Sequence, residues 1–323
     1  MPIGYQSEVG RLIKVVVKHA RDAFISEGKI EAEWRSLNYY SRPDLKGAIA
    51  EYDGFLAALA SLAPGVEIEL LAPDESLTMD SIYPRDAAIA CNKGMILCNM
   101  GKPARSGEPA AEQKLFAKAS IPIHGAIVGE GRVEGGDVAW IDEKTLAVGR
   151  GYRTNDEGIR QLSALLEACD VEVAVMPLPH YKGPSDVFHL MSVLSPIDHD
   201  LALVYSPLMT VPFRELLLAR GMRLVEVPDE EFESMGCNVF AVAPGKCLML
   251  DGNPVTAARL EAAGVELRLY RGNEISRKGA GGPTCMTRPV LRELRSAPST
   301  VALPVAAEQA AFAGGARRSP RRF

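Results

Sequence analysis

A repeat with a period near fifty residues is the feature that most constrains the fold of this 323-residue chain. Each repeat opens on a polar residue, runs through a short apolar strand, turns at a polar or glycine-containing pair, and continues through a second strand into a helical stretch. The opening residues, separated by 51, 52, 49 and 47 positions, are Asp86, Asp137, His189, Asn238 and Cys285. A fixed period with one ββαβ unit per repeat predicts modules arranged around a shared centre.

The ends of the chain supply a further unit. Apolar patterning predicts strands over residues 12–18 and 66–70, with a helix over residues 44–62 between them. A ring of modules usually closes by pairing its two ends, here residues 286–291 with the strand near 12–18. Helices are also predicted behind the later strand pairs, over residues 108–118, 156–168, 211–220 and 254–263.

A ring would bring remote side chains together, because the starts of equivalent strands converge on the axis. Asp86, His189 and Cys285 are therefore expected to meet in one cleft. The cysteine lies in Gly-Ala-Gly-Gly-Pro-Thr-Cys-Met-Thr, residues 279–287, where the glycines allow positive φ and close approach to another group. A buried structural cysteine fits this loop as well, so a nucleophilic role depends on partners elsewhere in the chain.

Two acids indicate which substrate such a thiol would suit. Asp86 and Glu134 are interpreted as acids of apolar strands, and buried carboxylates need a cation or a polar cleft. A guanidinium is a planar cation that can donate several hydrogen bonds to two carboxylates. His189 could then protonate the departing amine and activate water. The structural alternatives are pairing of Asp86 with Arg85, a turn cap at Glu134, and a core histidine at position 189.

These segments resemble the guanidino-group-modifying enzymes of the pentein superfamily: dimethylarginine dimethylaminohydrolases, arginine deiminases and amidinotransferases. The resemblance covers residues 12–294, and its motifs are Asp-Ser-Ile-Tyr-Pro-Arg-Asp (80–86), Val-Glu-Gly-Gly-Asp-Val (133–138), Phe-His-Leu (188–190) and Gly-Gly-Pro-Thr-Cys-Met-Thr (281–287). The fold it implies is an α/β five-bladed propeller of ββαβ modules around a pseudo-five-fold axis.

The resemblance also implies a role for each site residue. Cys285 would be the thiolate that forms a covalent thiouronium intermediate, and His189 the general acid and base. Asp86 and Glu134 would hold the guanidinium. For the amino-acid end of the substrate, the resemblance implies that an acid holds the α-amino group and two arginines hold the α-carboxylate; these are Asp80, Arg105 and Arg153.

Some positions depart from a single pattern within the superfamily. Met191 stands two residues after the histidine, where deiminases carry an aspartate, and this favours a substituted or neutral end group. Arg85 and the segment 238–245 are more deiminase-like, whereas Thr284 replaces the histidine that deiminases tend to have before the cysteine.

The expected function is therefore C–N hydrolysis of an arginine derivative, dimethylaminohydrolase-like, giving citrulline and an amine. The alternatives are an arginine deiminase, a citrulline or ureido hydrolase, an amidinotransferase and, more remotely, a non-catalytic binding protein of the same fold. A papain-like or zinc-dependent enzyme is disfavoured, since the sequence has no H-E-x-x-H and no paired-cysteine ligand set.

Composition restricts partners and compartment. A net charge of −5 with dispersed Lys and Arg disfavours nucleic acid and anionic membrane, which leaves a small guanidino or ureido amino acid as the partner. Six cysteines without C-x-x-C, no evident signal peptide and no long apolar run predict a reduced, cytoplasmic protein. The mechanism requires no metal or organic cofactor. Residues 1–295 are expected to form one catalytic domain and residues 296–323 a disordered basic tail, with a homo-oligomer left open.

Overall fold

Five small β-sheets are formed by residues 3–294, the part of the chain that the computed structural model describes. Each sheet contains an antiparallel pair of strands, and a third strand lies parallel to the second of that pair. A helix connects the second strand to the third in every sheet. The ββαβ modules predicted from the repeat and the five-bladed α/β propeller implied by the family resemblance are therefore confirmed.

The strands are β1 (Ile3–Gly4), β2 (Leu12–Val17), β3 (Glu67–Leu70), β4 (Ala88–Cys91), β5 (Gly94–Leu97), β6 (Ile123–Ala126), β7 (Val138–Asp142), β8 (Thr145–Arg150), β9 (Glu172–Pro177), β10 (Leu194–Asp198), β11 (Leu201–Val204), β12 (Arg223–Glu226), β13 (Val239–Ala243), β14 (Lys246–Leu250), β15 (Glu266–Tyr270) and β16 (Arg288–Glu293). The helices are α1 (Ala20–Phe24), α2 (Glu27–Glu33), α3 (Leu45–Leu62), α4 (Glu108–Lys118), α5 (Asp156–Glu167), α6 (Val211–Ala219), α7 (Asp229–Phe232) and α8 (Pro254–Ala262), with a π-helical turn at Asn273–Arg277.

The ring closes through the two ends of the described chain. β16 runs antiparallel to β2, with Arg288 opposite Val16, and β2 runs parallel to β3. β1 adds an outer strand by pairing with β16. Residues far apart in sequence thus share one sheet, as the sequence predicted.

Local signals explain where the helices begin. Asp44 caps α3 by accepting a hydrogen bond from the Gly47 amide at 2.6 Å, and Asn155 caps α5 through the Gly158 amide at 2.9 Å. The inner face of α3 packs against the sheets through Tyr52, Phe55 and Leu59, which are fully buried. Burial of these apolar faces supplies most of the stability of such short helices.

Asp86 lies in a turn, and Glu134 and His189 lie directly before turns, not in strands as predicted. 3₁₀ turns at Pro84–Ala87, Gly135–Asp137 and Leu190–Ser192 precede β4, β7 and β10. The backbone amide of His189 closes the third of these turns by donating a hydrogen bond to the Ser192 hydroxyl, at 3.0 Å. A strand would send successive side chains to opposite faces, whereas these turns hold polar groups at the axis.

The tail assigned to residues 296–323 lies outside the described residues. Within residues 3–294, no helix has both the length and the apolar character needed to cross a bilayer.

Candidate active site

Two adjoining cavities meet at Cys285 and His189, where the turns before the inner strands converge. We call the first, of about 310 Å³, the polar chamber; its lining includes Asp80, Asp86, Lys102, Arg105 and Arg153. We call the second, of about 90 Å³, the aromatic chamber; its lining includes Tyr40, Tyr181, Phe188, Met191, Phe232 and Met235. Six of the seven site residues expected from the sequence therefore line one cleft, and the seventh, Glu134, is fully buried behind His189.

His189 is held by a buried carboxylate. Its Nε2 lies 2.7 Å from Oε2 of Glu134, and its Nδ1 lies 3.9 Å from Oδ1 of Asp86. Burial alone would lower the pKa of His189, but the charges of Asp86, Asp137 and Glu134 outweigh it and raise the pKa to about 9. With a pKa of about 9 the imidazole is cationic near neutral pH, and its role as general acid and base stays a prediction.

Gly136 permits this arrangement of the imidazole. A Cβ atom at this position would lie 2.4 Å from Nδ1 of His189 and 2.7 Å from Oδ1 of Asp86. Any side chain would therefore displace the histidine or fill the space between the two catalytic candidates. The second glycine of the Glu-Gly-Gly-Asp motif is therefore required for the close approach of the His189 and Asp86 side chains to the backbone.

Glu134 is occupied by protein donors on both carboxylate oxygens. Oε1 accepts a hydrogen bond from the Lys102 amide at 2.9 Å, and Oε2 accepts one from Nη1 of Arg153 at 3.0 Å. Although burial opposes ionisation, the hydrogen bond from His189 and the charges of His189 and Arg153 hold the pKa of Glu134 below its usual range. In this structure Glu134 fixes His189, and it makes no turn cap. A direct contact with a guanidinium stays a prediction.

Asp86 has one oxygen bound and one free. Nη1 of Arg105 donates to Oδ2 at 2.5 Å, while Oδ1 is buried and has no hydrogen-bond partner among the described residues. The proposed pairing with Arg85 is wrong, because Arg85 forms a buried ion pair with Glu8, at 2.7 Å, on the other side. Arg105 is the partner because it reaches across from the turn after β5.

Asn238 fixes the nucleophile loop. Its Nδ2 donates to Sγ of Cys285 at 3.3 Å, and its Oδ1 accepts the Thr284 amide at 3.1 Å. A Cβ at Gly282 would lie 2.4 Å from that Oδ1. Positive φ occurs at Ala280, at 56°, and not at the glycines of the loop, which instead serve close approach.

Cys285 is a half-buried residue that lines both chambers. Burial of the thiol, and then the negative charge of Asp86, raise its pKa to about 11, although the Asn238 hydrogen bond opposes this. The Cys285 side chain is therefore a thiol in the empty site, and a cation in the cleft would favour its ionisation.

The residues expected to bind the amino-acid end of a substrate are engaged by protein groups. Nζ of Lys102 lies 2.6 Å from Oδ2 of Asp80. Arg105 donates to Glu108 as well as to Asp86, and Arg153 donates to Glu134. Their substrate contacts stay predictions. Sequence reasoning missed Lys102 and the role of Asn238; the repeat position of Asn238 was a usable signal, whereas Lys102 carries none.

Met191 lies between the aromatic chamber and a buried arginine. Nη2 of Arg85 is 3.0 Å from Sδ of Met191. The position at which the deiminase pattern has an aspartate is thus occupied by the Met191 thioether, with the Arg85 guanidinium behind it. This wall of the cleft is the less polar one.

A metal-ligand geometry also exists at the site. Single ligand atoms of Asp86, Glu134 and His189 lie within 4.8 Å of one another. The oxygens of Glu134 and Nε2 of His189 are already hydrogen-bonded, whereas Oδ1 of Asp86 has no hydrogen-bond partner within residues 3–294.

Comparison with known proteins places the chain among enzymes of guanidino compounds. The family model described as "N,N dimethylarginine dimethylhydrolase, eukaryotic" matches residues 31–292. An N(G),N(G)-dimethylarginine dimethylaminohydrolase from Pseudomonas aeruginosa is 26% identical over 77% of this chain and 91% of its own length. An arginine deiminase from Rhodococcus jostii is also 26% identical, over 66% of this chain and 60% of its own length.

The fold is matched as well. A Pseudomonas aeruginosa dimethylarginine dimethylaminohydrolase variant complexed with citrulline superposes with a TM-score of 0.69. The alignment covers 86% of this chain and 98% of the other, with 23% sequence identity.

Proposed function

Because the chain belongs to the N,N-dimethylarginine dimethylhydrolase family of the pentein superfamily, we propose that it hydrolyses a C–N bond of an N-substituted arginine. The products would be citrulline and an amine. Cys285 would be the nucleophile and His189 the proton carrier.

The free oxygen of Asp86 is the observation that carries this proposal. A buried carboxylate oxygen without a partner is costly unless a ligand supplies a donor. It adjoins the imidazole of His189 and shares the cleft with Cys285. A guanidinium N–H would satisfy it and place a positive charge beside the thiol.

The first half of the reaction follows from these charges. Binding of the guanidinium cation offsets the negative charge of Asp86 and so lowers the pKa of the Cys285 thiol. The thiol loses its proton to solvent, and the thiolate attacks the central guanidinium carbon and forms a C–S bond while the C=N electron pair moves onto nitrogen. As the C–N bond to the substituted nitrogen breaks, the imidazolium of His189 gives its proton to that nitrogen, and the amine leaves a thiouronium on Cys285.

The second half returns the proton. Neutral His189, still hydrogen-bonded to Glu134, takes a proton from water, and the hydroxide attacks the thiouronium carbon. The C–S bond breaks and the thiolate leaves, the hydroxyl proton passes to solvent, and a ureido group remains on the product. Asn238 stabilises the departing thiolate by its hydrogen bond to Sγ.

The aromatic chamber supports a substituted nitrogen as the leaving group. It adjoins Cys285 on the side of Met191, and Phe188 and Phe232 contribute apolar walls. Methyl groups there would be removed from water, which contributes about 0.8 kcal/mol per buried methylene-sized group. An unsubstituted arginine would lose that contribution and would meet no acid at position 191.

The test is product identification with separate substrates. The purified protein is incubated with N,N-dimethylarginine, arginine or citrulline, and amines and amino acids are measured by mass spectrometry. We expect dimethylamine and citrulline from dimethylarginine. Cys285→Ser should bind that substrate, stay folded and give no product, which separates catalysis from contamination.

Other outcomes identify the alternatives. Ammonia and citrulline from arginine, at a rate above that with dimethylarginine, would establish a deiminase. Ammonia and ornithine from citrulline would support a ureido hydrolase, and turnover that requires an added amine acceptor would support an amidinotransferase. If the wild-type protein neither turns over nor binds any of the three substrates, the proposal is overturned.

A further inference from the structure

Two cysteines and a histidine converge at a second place in the molecule, away from the catalytic candidates. Sγ of Cys91, Sγ of Cys169 and a ring nitrogen of His124 all lie within 4.8 Å of one another. Cys91 ends β4 and is buried, whereas His124 on β6 and Cys169 after α5 are partly exposed. The three side chains come from separate segments, so the cluster is a tertiary feature.

The histidine is presented by an irregularity in the sheet. Between β5 and β6, Met95 pairs with Ile123 and Ile96 pairs with Gly125, so His124 is an extra residue on β6. Such a bulge in a parallel pair is uncommon and redirects the side chain of the extra residue. Gly94 allows the backbone before β6 to approach β5 closely beside this bulge, because a Cβ atom at position 94 would lie 2.3 Å from the Pro122 carbonyl oxygen.

The hydrogen bond of His124 leaves the other ring nitrogen free. Nε2 lies 2.9 Å from the carbonyl oxygen of Leu165, which can only accept, so Nε2 must carry the proton. Nδ1 then keeps its lone pair. A ring N–H donated to a backbone carbonyl is the arrangement that commonly orients a metal-binding histidine.

We propose that Cys91, His124 and Cys169 bind one zinc ion, with water as the fourth ligand. Tetrahedral zinc, with Zn–S near 2.3 Å and Zn–N near 2.0 Å, separates its ligand atoms by about 3.5–3.8 Å. Each pair of ligand atoms therefore needs to approach by at most about 1.3 Å to reach that geometry. Two thiolates and an imidazole form a donor set that suits zinc better than hard cations.

Binding would exchange two protons for one metal ion. Each thiol loses its proton to solvent, two S–Zn bonds and one N–Zn bond form, and no electron is transferred. The ion would connect the sheet β4–β5–β6 to the segment after α5, which belongs to the next module of the ring. The site is therefore structural, and it is separate from the proposed hydrolysis.

The experiment measures zinc on the reduced, full-length protein. Chelator-treated protein is given one equivalent of Zn²⁺, passed through a desalting column, and analysed by native mass spectrometry and elemental analysis. Cobalt(II) is then used in place of zinc, because thiolate coordination produces a charge-transfer absorption band. Wild type and Cys285→Ser should each hold one ion and show the band, since the catalytic thiol is not a ligand.

Variants of the two partly exposed ligands test the assignment without altering the buried core. Cys169→Ser and His124→Asn should keep their circular dichroism spectrum but bind zinc at least tenfold more weakly. Zinc retained at wild-type affinity by both variants, or lost in Cys285→Ser, would overturn the proposal. Reduced wild-type protein that holds no zinc would also overturn the proposal. This holds even if Cys91 and Cys169 form a disulfide when the protein is later oxidised.

Discussion

The side chain of Asn238 donates a hydrogen bond to the sulfur of Cys285 at 3.3 Å. Asn238 opens the repeat immediately before that of the cysteine, so two neighbouring repeats supply this thiol and its only hydrogen-bonding side chain among the described residues. The bond favours the thiolate, whereas burial and Asp86 favour the thiol. The reactivity of Cys285 is set by this opposition.

Removal of the Asn238 donor should make the thiol harder to ionise. Hydrogen bonds to charged groups contribute roughly 1.5–3 kcal/mol, so Asn238→Ala should raise the pKa of Cys285 by about 1–2. The measurement is the rate of iodoacetamide alkylation at Cys285 against pH, with the modified peptide followed by mass spectrometry. Asn273→Ala, which removes an exposed amide bound to Glu274, serves as the control. An unchanged alkylation profile in Asn238→Ala would contradict this account.

Neutralising Asp86 should affect thiol ionisation and turnover in opposite directions. Asp86→Asn removes the charge that helps raise the pKa of Cys285 to about 11, so alkylation at a given pH should become faster. Turnover should nevertheless fall by roughly 100-fold, because the guanidinium loses its carboxylate partner. Asp80→Asn is the matched control, since Asp80 pairs with Lys102 and should leave the alkylation profile unchanged. Slower alkylation in Asp86→Asn would refute the electrostatic argument.

Protonation of His189 should stabilise the fold at neutral pH and lose that effect in alkali. Its pKa is raised to about 9 from an ordinary value near 6.5, so the folded state binds the proton more tightly than the unfolded state. The stabilisation is fully present below pH 6.5 and disappears as pH rises through about 9. A shift of this size corresponds to roughly 3 kcal/mol.

Urea unfolding of wild type and His189→Asn between pH 6 and 10 measures this contribution. The difference between their unfolding free energies should shrink by roughly 3 kcal/mol across that range. His199→Asn, at an exposed position, should give a difference that does not vary with pH. A constant difference for His189→Asn would mean that the imidazole is neutral in the folded protein.

Much of this fold could be predicted from the sequence because its signals are local and repeated. Apolar spacing predicts a helix over residues 44–62, and α3 at Leu45–Leu62 matches it closely. The choice among buried charges could not be predicted in this way. Arg85 forms an ion pair with Glu8, 77 positions away, whereas Asp86, the residue directly after Arg85, pairs with Arg105. Such choices depend on which side of a turn each residue faces, and patterning does not report that.

Met191 should determine which guanidino compound is accepted. Because Arg85 lies 3.0 Å from its sulfur, an aspartate introduced here would be held by that arginine and would face the cleft. Met191→Asp should therefore move the ratio of kcat/KM for arginine over dimethylarginine at least tenfold towards arginine, a change of about 1.4 kcal/mol in relative transition-state binding. Met191→Leu keeps an apolar wall and should preserve the wild-type ratio. Folded Met191→Asp protein with an unchanged ratio would show that the substituted nitrogen does not lie against this wall, and that the preference must be set elsewhere in the aromatic chamber.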